Sequence, residues 1–83
     1  MPAFLFINSW RFRFYSNEQG EPMPIHAEKS EAECKYWIEA DAFNIREAFA
    51  YNLTPRDVRQ VRQIIFENFD YLVSEWQRVL GQS

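Results

Sequence analysis

The stretch "NLTPRDVRQVRQIIFENFDYLVSEWQRVLG", Asn52–Gly81, decides the fold. Val58, Val61, Ile65, Phe69, Leu72, Trp76 and Val79 follow at steps of three and four, the period of a helix with one apolar stripe. Thr54 stands where an N-cap oxygen can accept from an orphan N–H, with Asp57 at N3. Pro55 falls at N1, where its missing N–H costs nothing. Gly81 supplies a left-handed stop. The spacing predicts one helix from about Pro55 to about Leu80, about 39 Å long at a rise of about 1.5 Å per residue. That is long for so small a domain, and its end is expected to project past the sheet and meet a partner.

Upstream the period changes from helical to two. "WRFRFYS", Trp10–Ser16, alternates strictly: Trp10, Phe12 and Phe14 on one face, Arg11, Arg13 and Tyr15 on the other. The apolar run "AFLFI", residues 3–7, reads as its hairpin partner. Asn8-Ser9 forms the turn, since Asn tolerates positive φ. "NEQGEPMP", residues 17–24, reads as a loop. "IHAEK", residues 25–29, is a short strand weakened by Pro24 at its entry. "ECKYWIE", residues 33–39, is its partner, with Cys34, Tyr36 and Ile38 on one face and Lys35, Trp37 and Glu39 on the other. "ADAFNIREAFAYN", residues 40–52, fits a strand or a helix; a strand over about residues 43–51 is favoured. The expected fold is α+β, a small antiparallel sheet of four or five strands with one long C-terminal helix packed on it. One helix covers one face, so Trp37 is expected on the other, open to a second subunit or partner.

At 83 residues the chain is long enough for one domain. Such a chain buries only about 60–65% of the surface it exposes when unfolded. It compensates with eight Phe, four Tyr and three Trp. The first residues lack the basic start and long apolar run of a secretory signal, and no stretch is long enough to span a membrane. With a single cysteine, Cys34, a cytoplasmic location is expected. The net charge is −3, and the middle is acidic: Glu18 to Glu47 holds eight acidic and three basic residues. No broad basic face of the kind that grips a duplex is evident.

His26 is the only histidine. On a strand it shares a face with Glu28, and imidazole beside carboxylate is the pairing that orients a general base. The plainer reading, and the favoured one, is a surface or half-buried histidine. One His and one Cys, eight apart, are too few for a zinc site, so no metal is expected. No cofactor motif is present. Cys34 reads as an inert packed thiol. Arg56, Arg59 and Arg62 sit in the first turns of the helix, where positive charge opposes the macrodipole. A sequence tuned only for stability would put acids there. With Arg11 and Arg13 they are candidates for one patch that binds an anion or an acidic partner. The alternative is a solvated face ion-paired to the acidic middle. Trp10, Phe12 and Phe14 resemble base-stacking rings but read more simply as core.

Four segments together resemble a family of small, uncharacterised bacterial proteins: "WRFRFYSNE", "EPMPIHAE", "CKYWIE" and "IIFENFDYLVSEW". The family pattern has E-P-P-H-I-H-V-E, A-K-F-W-L-E and E-N-x-x-x-L-x-x-x-W. Glu21, Pro22, His26 and Glu28 match the first element, Lys35, Trp37 and Glu39 the second, and Glu67, Asn68, Leu72 and Trp76 the third. Met23 stands where the family has its second proline and Pro24 where it has its first histidine, so half of a histidine pair is missing. The resemblance implies a two-gene, toxin–antitoxin-like arrangement. The expected function is therefore a non-enzymatic interaction or regulatory protein that binds another protein or a second copy of itself. The alternative is an RNA-directed toxin, a metal-independent ribonuclease in which His26 or Glu28 handles the proton of the 2′-hydroxyl and the arginines steady the phosphorane.

Overall fold

The computed structural model describes residues 5–14 and 23–81. Five strands form one antiparallel meander in the order β1-β2-β3-β4-β5. They are β1 (Leu5–Ile7), β2 (Trp10–Arg13), β3 (Met23–Lys29), β4 (Ala32–Glu39) and β5 (Asn44–Tyr51). Two helices follow, α1 (Pro55–Glu67) and α2 (Phe69–Gly81). The expected α+β architecture is observed. Ala3, Phe4, Tyr15, Ser16 and the expected loop through Pro22 lie outside the described residues.

The turns follow residue chemistry. Asn8 and Ser9 both take positive φ, 53° and 70°, as a two-residue hairpin turn matched to strand twist requires. Ser30 does the same between β3 and β4. Strand β3 begins two residues earlier than its expected start and takes in Pro24. β2 ends at Arg13, opposite His26, so Pro24 lies past the end of the β2 ladder, where a missing N–H is tolerated.

The strand favoured over about residues 43–51 is observed as β5, Asn44–Tyr51, but it is not regular. Tyr36 pairs with Glu47 but Lys35 pairs with Phe49, so Ala48 is an extra residue, a bulge. Ile45 therefore faces the helices while Phe49 and Tyr51 face away. Phe43 is not in the strand. It closes a short 3-10 turn (Ala40–Ala42) with φ 49° and ψ 52°. Its ring packs on Phe69 and Phe66, with centroids 4.6 and 5.4 Å away. These contacts hold an aromatic residue in a region that costs it roughly 1–2 kcal/mol.

The expected single helix is broken. Thr54 and Asp57 form the capping box: the Asp57 N–H donates to Thr54 Oγ1 at 3.1 Å and the Thr54 N–H to Asp57 Oδ2 at 3.1 Å. The break comes at Asn68, with φ −117° and ψ 22°. Its side-chain Nδ2 donates to the Ile64 carbonyl at 2.9 Å, and its N–H is shared between the Ile64 and Ile65 carbonyls. An asparagine that bonds back in this way competes with the helical ladder and bends it. Past the break α2 stays on the sheet, with Phe69, Leu72 and Trp76 in the core.

The core lies between the sheet and both helices. Trp10, Phe12, Ile25, Ala27, Cys34, Tyr36, Ile38 and Ile45 pack from the strands, with Phe14 just past β2. Val61, Ile64, Ile65, Phe69, Leu72 and Trp76 pack from the helices. Phe14 meets Trp76 edge-on at 5.0 Å. The Trp10 indole N–H donates to Gln60 Oε1 on α1 at 2.9 Å. Among the described residues no helix is long and apolar enough to cross a membrane.

Candidate functional site

The strand registers set which side chains share the face turned away from the helices. One row across the sheet is Phe6, Arg11, Glu28, Glu33 and Tyr51. The next is Arg13, His26, Lys35 and Phe49. A third is Pro24, Trp37 and Arg46. Neither described helix packs on this face; of its members Pro24 is buried and His26, Glu28, Lys35 and Trp37 are half-buried.

His26 and Glu28, the two catalytic candidates, lie here together with Arg11 and Arg13. Glu28 Oε1 accepts from Arg13 Nη2 at 3.0 Å and from Arg11 Nη2 at 3.3 Å. Charge-assisted bonds of this kind hold the carboxylate between two guanidinium groups. Glu28 is therefore placed as an anchor for two cations rather than as an open base. His26 is half-buried and stands between Arg13 on β2 and Lys35 on β4. Lys35 Nζ lies 4.4 Å from the centre of the Trp37 ring, a cation–π contact. Arg46 Nε donates to Glu39 Oε2 at 3.5 Å, and Asn44 Nδ2 to Glu39 Oε1 at 3.2 Å. Exposed rings stand at the margins: Phe6 at 68%, Tyr51 at 67% and Phe49 at 42%.

The five arginines do not form one patch. Arg11 and Arg13 are on the open face, whereas α1 packs on the opposite face through Gln60 and Trp10. Arg56 and Arg59 are exposed on α1, and the Arg62 guanidinium lies 6.0 Å from the centre of the Phe66 ring. The sheet separates the two groups. The start of α1 borders an open notch lined by Lys29, Ser30, Glu31, Ala32, Asn52 and Asp57. Asp57 already sets its own carboxylate where an incoming anion would sit.

Two buried groups on the helix side have shifted titrations. Burial, then the nearby Glu47 charge, pushes the Cys34 thiol from 9.0 up to about 12, the opposite of a reactive thiolate. The same two causes hold the Tyr36 phenol well above its usual 10.0; its hydroxyl donates to Glu47 Oε1 at 3.2 Å. Among the described residues no three His, Cys, Asp or Glu side chains gather as metal ligands would.

Sequence reasoning missed Lys35 as the neighbour of His26, Arg46 as the neighbour of Trp37, and Phe6, Phe49 and Tyr51 as the aromatic border of the face. The meeting of Lys35 with His26 could have been found, since the sequence already puts Lys35 on the strand face opposite Cys34 and Tyr36. Phe49 and Tyr51 could not, because the bulge at Ala48 moves them to that face.

No curated protein and no solved structure matches the chain. A family match covers residues 9–77, including β2 to β5, α1 and most of α2. The chain therefore belongs to the family described as Domain of unknown function (DUF4160).

Proposed function

We propose that this chain is a non-enzymatic, cytoplasmic interaction protein, the binding or regulatory member of a bacterial toxin–antitoxin-like pair, that docks a partner protein on its open sheet face. The observation that carries this reading is the face itself. It combines an aromatic border with acids and bases already paired to one another, the composition of a specific protein interface. Trp37, stacked under Lys35 near the centre, has the character of a hot-spot anchor. The test is co-expression with the product of the adjacent gene, followed by co-purification and titration calorimetry. Trp37→Glu is expected to weaken the complex at least about tenfold, the scale of a lost hot spot, with an unchanged melting temperature. Unaltered affinity, or no complex with the wild type, overturns the proposal.

The second reading, a metal-independent RNA-directed toxin, draws support from the shared face of His26, Glu28, Arg11 and Arg13. A base and two cations near one phosphate would suffice for cleavage through the 2′-hydroxyl. It expects growth arrest on expression, relief by His26→Ala, and RNA products ending in a cyclic phosphate. Growth unaffected by the wild type removes it.

A further inference from the structure

β5 is an unusual edge. The opposite edge, β1, has three residues, while β5 has eight, seven of them exposed. It carries no lysine or proline, its one edge-turning device is the bulge at Ala48, and β4 occupies only one of its sides. Its charges are Arg46 and Glu47 alone.

We infer that two copies of this chain pair through β5, antiparallel, about a two-fold axis between Glu47 and Ala48. The argument is one of parity. When an eight-residue regular strand overlaps itself over its full length, each odd-numbered residue meets an even-numbered one. Residues that belong on opposite faces are then forced to be partners. The extra residue at Ala48 removes this conflict. Asn44, Arg46, Phe49 and Tyr51 face the open side, and Ile45, Glu47 and Ala50 the helix side. Full overlap then sets Asn44 against Tyr51, Ile45 against Ala50 and Arg46 against Phe49, every pair on a common face.

The pairs are also chemically compatible. Each Arg46 meets the Phe49 ring of the other copy, a cation–π pair made twice. Glu47 meets Ala48; the two Glu47 carboxylates flank the axis on the helix side, the one like-charge approach in the seam, and each accepts from Tyr36 of its own copy. The paired edges run roughly 26 Å at about 3.3 Å per residue. The product is a continuous ten-stranded sheet. A two-fold axis perpendicular to it keeps both open faces on the same side, so the surface around His26 and Trp37 is doubled. This inference concerns the edge alone. A monomer that still binds a partner protein would overturn it and leave the open-face proposal standing.

The test is the mass in solution of the wild type, Phe49→Lys and Phe49→Glu, by sedimentation over a wide concentration range. The wild type is expected at twice the 10.0 kDa chain mass. Phe49→Lys sets a lysine against Arg46 and is expected to be monomeric, while Phe49→Glu sets a carboxylate there and stays dimeric. A second measurement does not depend on those variants folding. In a Cys34→Ala background, Ala48→Cys lies beside the axis and is expected to cross-link to its copy on mild oxidation. Asn44→Cys lies far from its copy and is not. A wild-type monomer at every concentration, a dimeric Phe49→Lys, or equal cross-linking at both positions overturns the pairing.

Discussion

Replacing Trp10 with alanine is expected to destabilise the fold by about 3–5 kcal/mol, the usual range for removing a large buried ring. Trp10 is fully buried and is the point where three elements meet. From β2 its ring fills the core, its N–H donates to Gln60 on α1, and Lys29 Nζ of β3 lies 5.3 Å from the ring centre. A domain of this size has a total stability of only about 4–12 kcal/mol, so the variant should be partly unfolded at room temperature. Trp10→Phe keeps a ring and loses the N–H, leaving Gln60 without its partner. Its expected cost is smaller, about 1–2 kcal/mol, mostly the lost hydrogen bond and residual volume. Urea titration of the three proteins measures both. A loss under about 1 kcal/mol for Trp10→Ala would mean that β2 and α1 are not joined through this side chain.

The second large effect is a loss of stability in alkali. Cys34 releases its proton near 9.0 when unfolded but near 12 when folded. Tyr36 follows the same pattern from 10.0 upward. Above these lower values the unfolded chain holds fewer protons than the folded one, so deprotonation favours unfolding. Their contribution is intact below about pH 9 and falls as pH rises toward the folded values, at about 1.4 kcal/mol per pH unit for each group. The decline should steepen past about pH 10, when Tyr36 joins Cys34. Chemical unfolding from about pH 8 to about pH 11 reads this directly. Cys34→Ala should flatten the first part of the decline and leave the second. A wild-type curve parallel to that of Cys34→Ala over the whole range would show that the thiol titrates alike in both states.

The parts of the fold legible in the sequence are those whose signals are local. Trp10, Phe12 and Phe14 alternate, and they are core. Cys34, Tyr36 and Ile38 alternate, and they line the same core. Thr54, Pro55 and Asp57 announce the helix start by their own chemistry. Asn68 was not legible as a break. Its neighbours continue the helical period, and the bond from its side chain to Ile64 that bends the chain exists only once a helix is there. Ala48 carries no signal for a bulge, since alanine suits a strand, a helix or a bulge alike. The candidate site was legible only in part for a related reason. His26 and Glu28 share a strand, but their meeting with Arg13, Lys35 and Phe49 depends on three strand registers. Registers are set by turns and by packing across the sheet, not by local composition. The separation of the helix arginines from Arg11 and Arg13 likewise follows from which sheet face α1 covers.

The meander also has a consequence in time. Every strand pairs with its neighbour in sequence, so on a ribosome the sheet can assemble hairpin by hairpin as the chain emerges. Its greasy side is complete by Tyr51, yet its cover, from Pro55 to Gly81, is the last part to be made. For that interval the nascent chain presents Trp10, Phe12, Ile25 and Ile38 to water on an unroofed sheet. A sheet still without its helices, with an unpaired eight-residue edge, is the form of this molecule most prone to aggregate. Newborn copies should therefore be the ones that engage chaperones, while the finished protein does not.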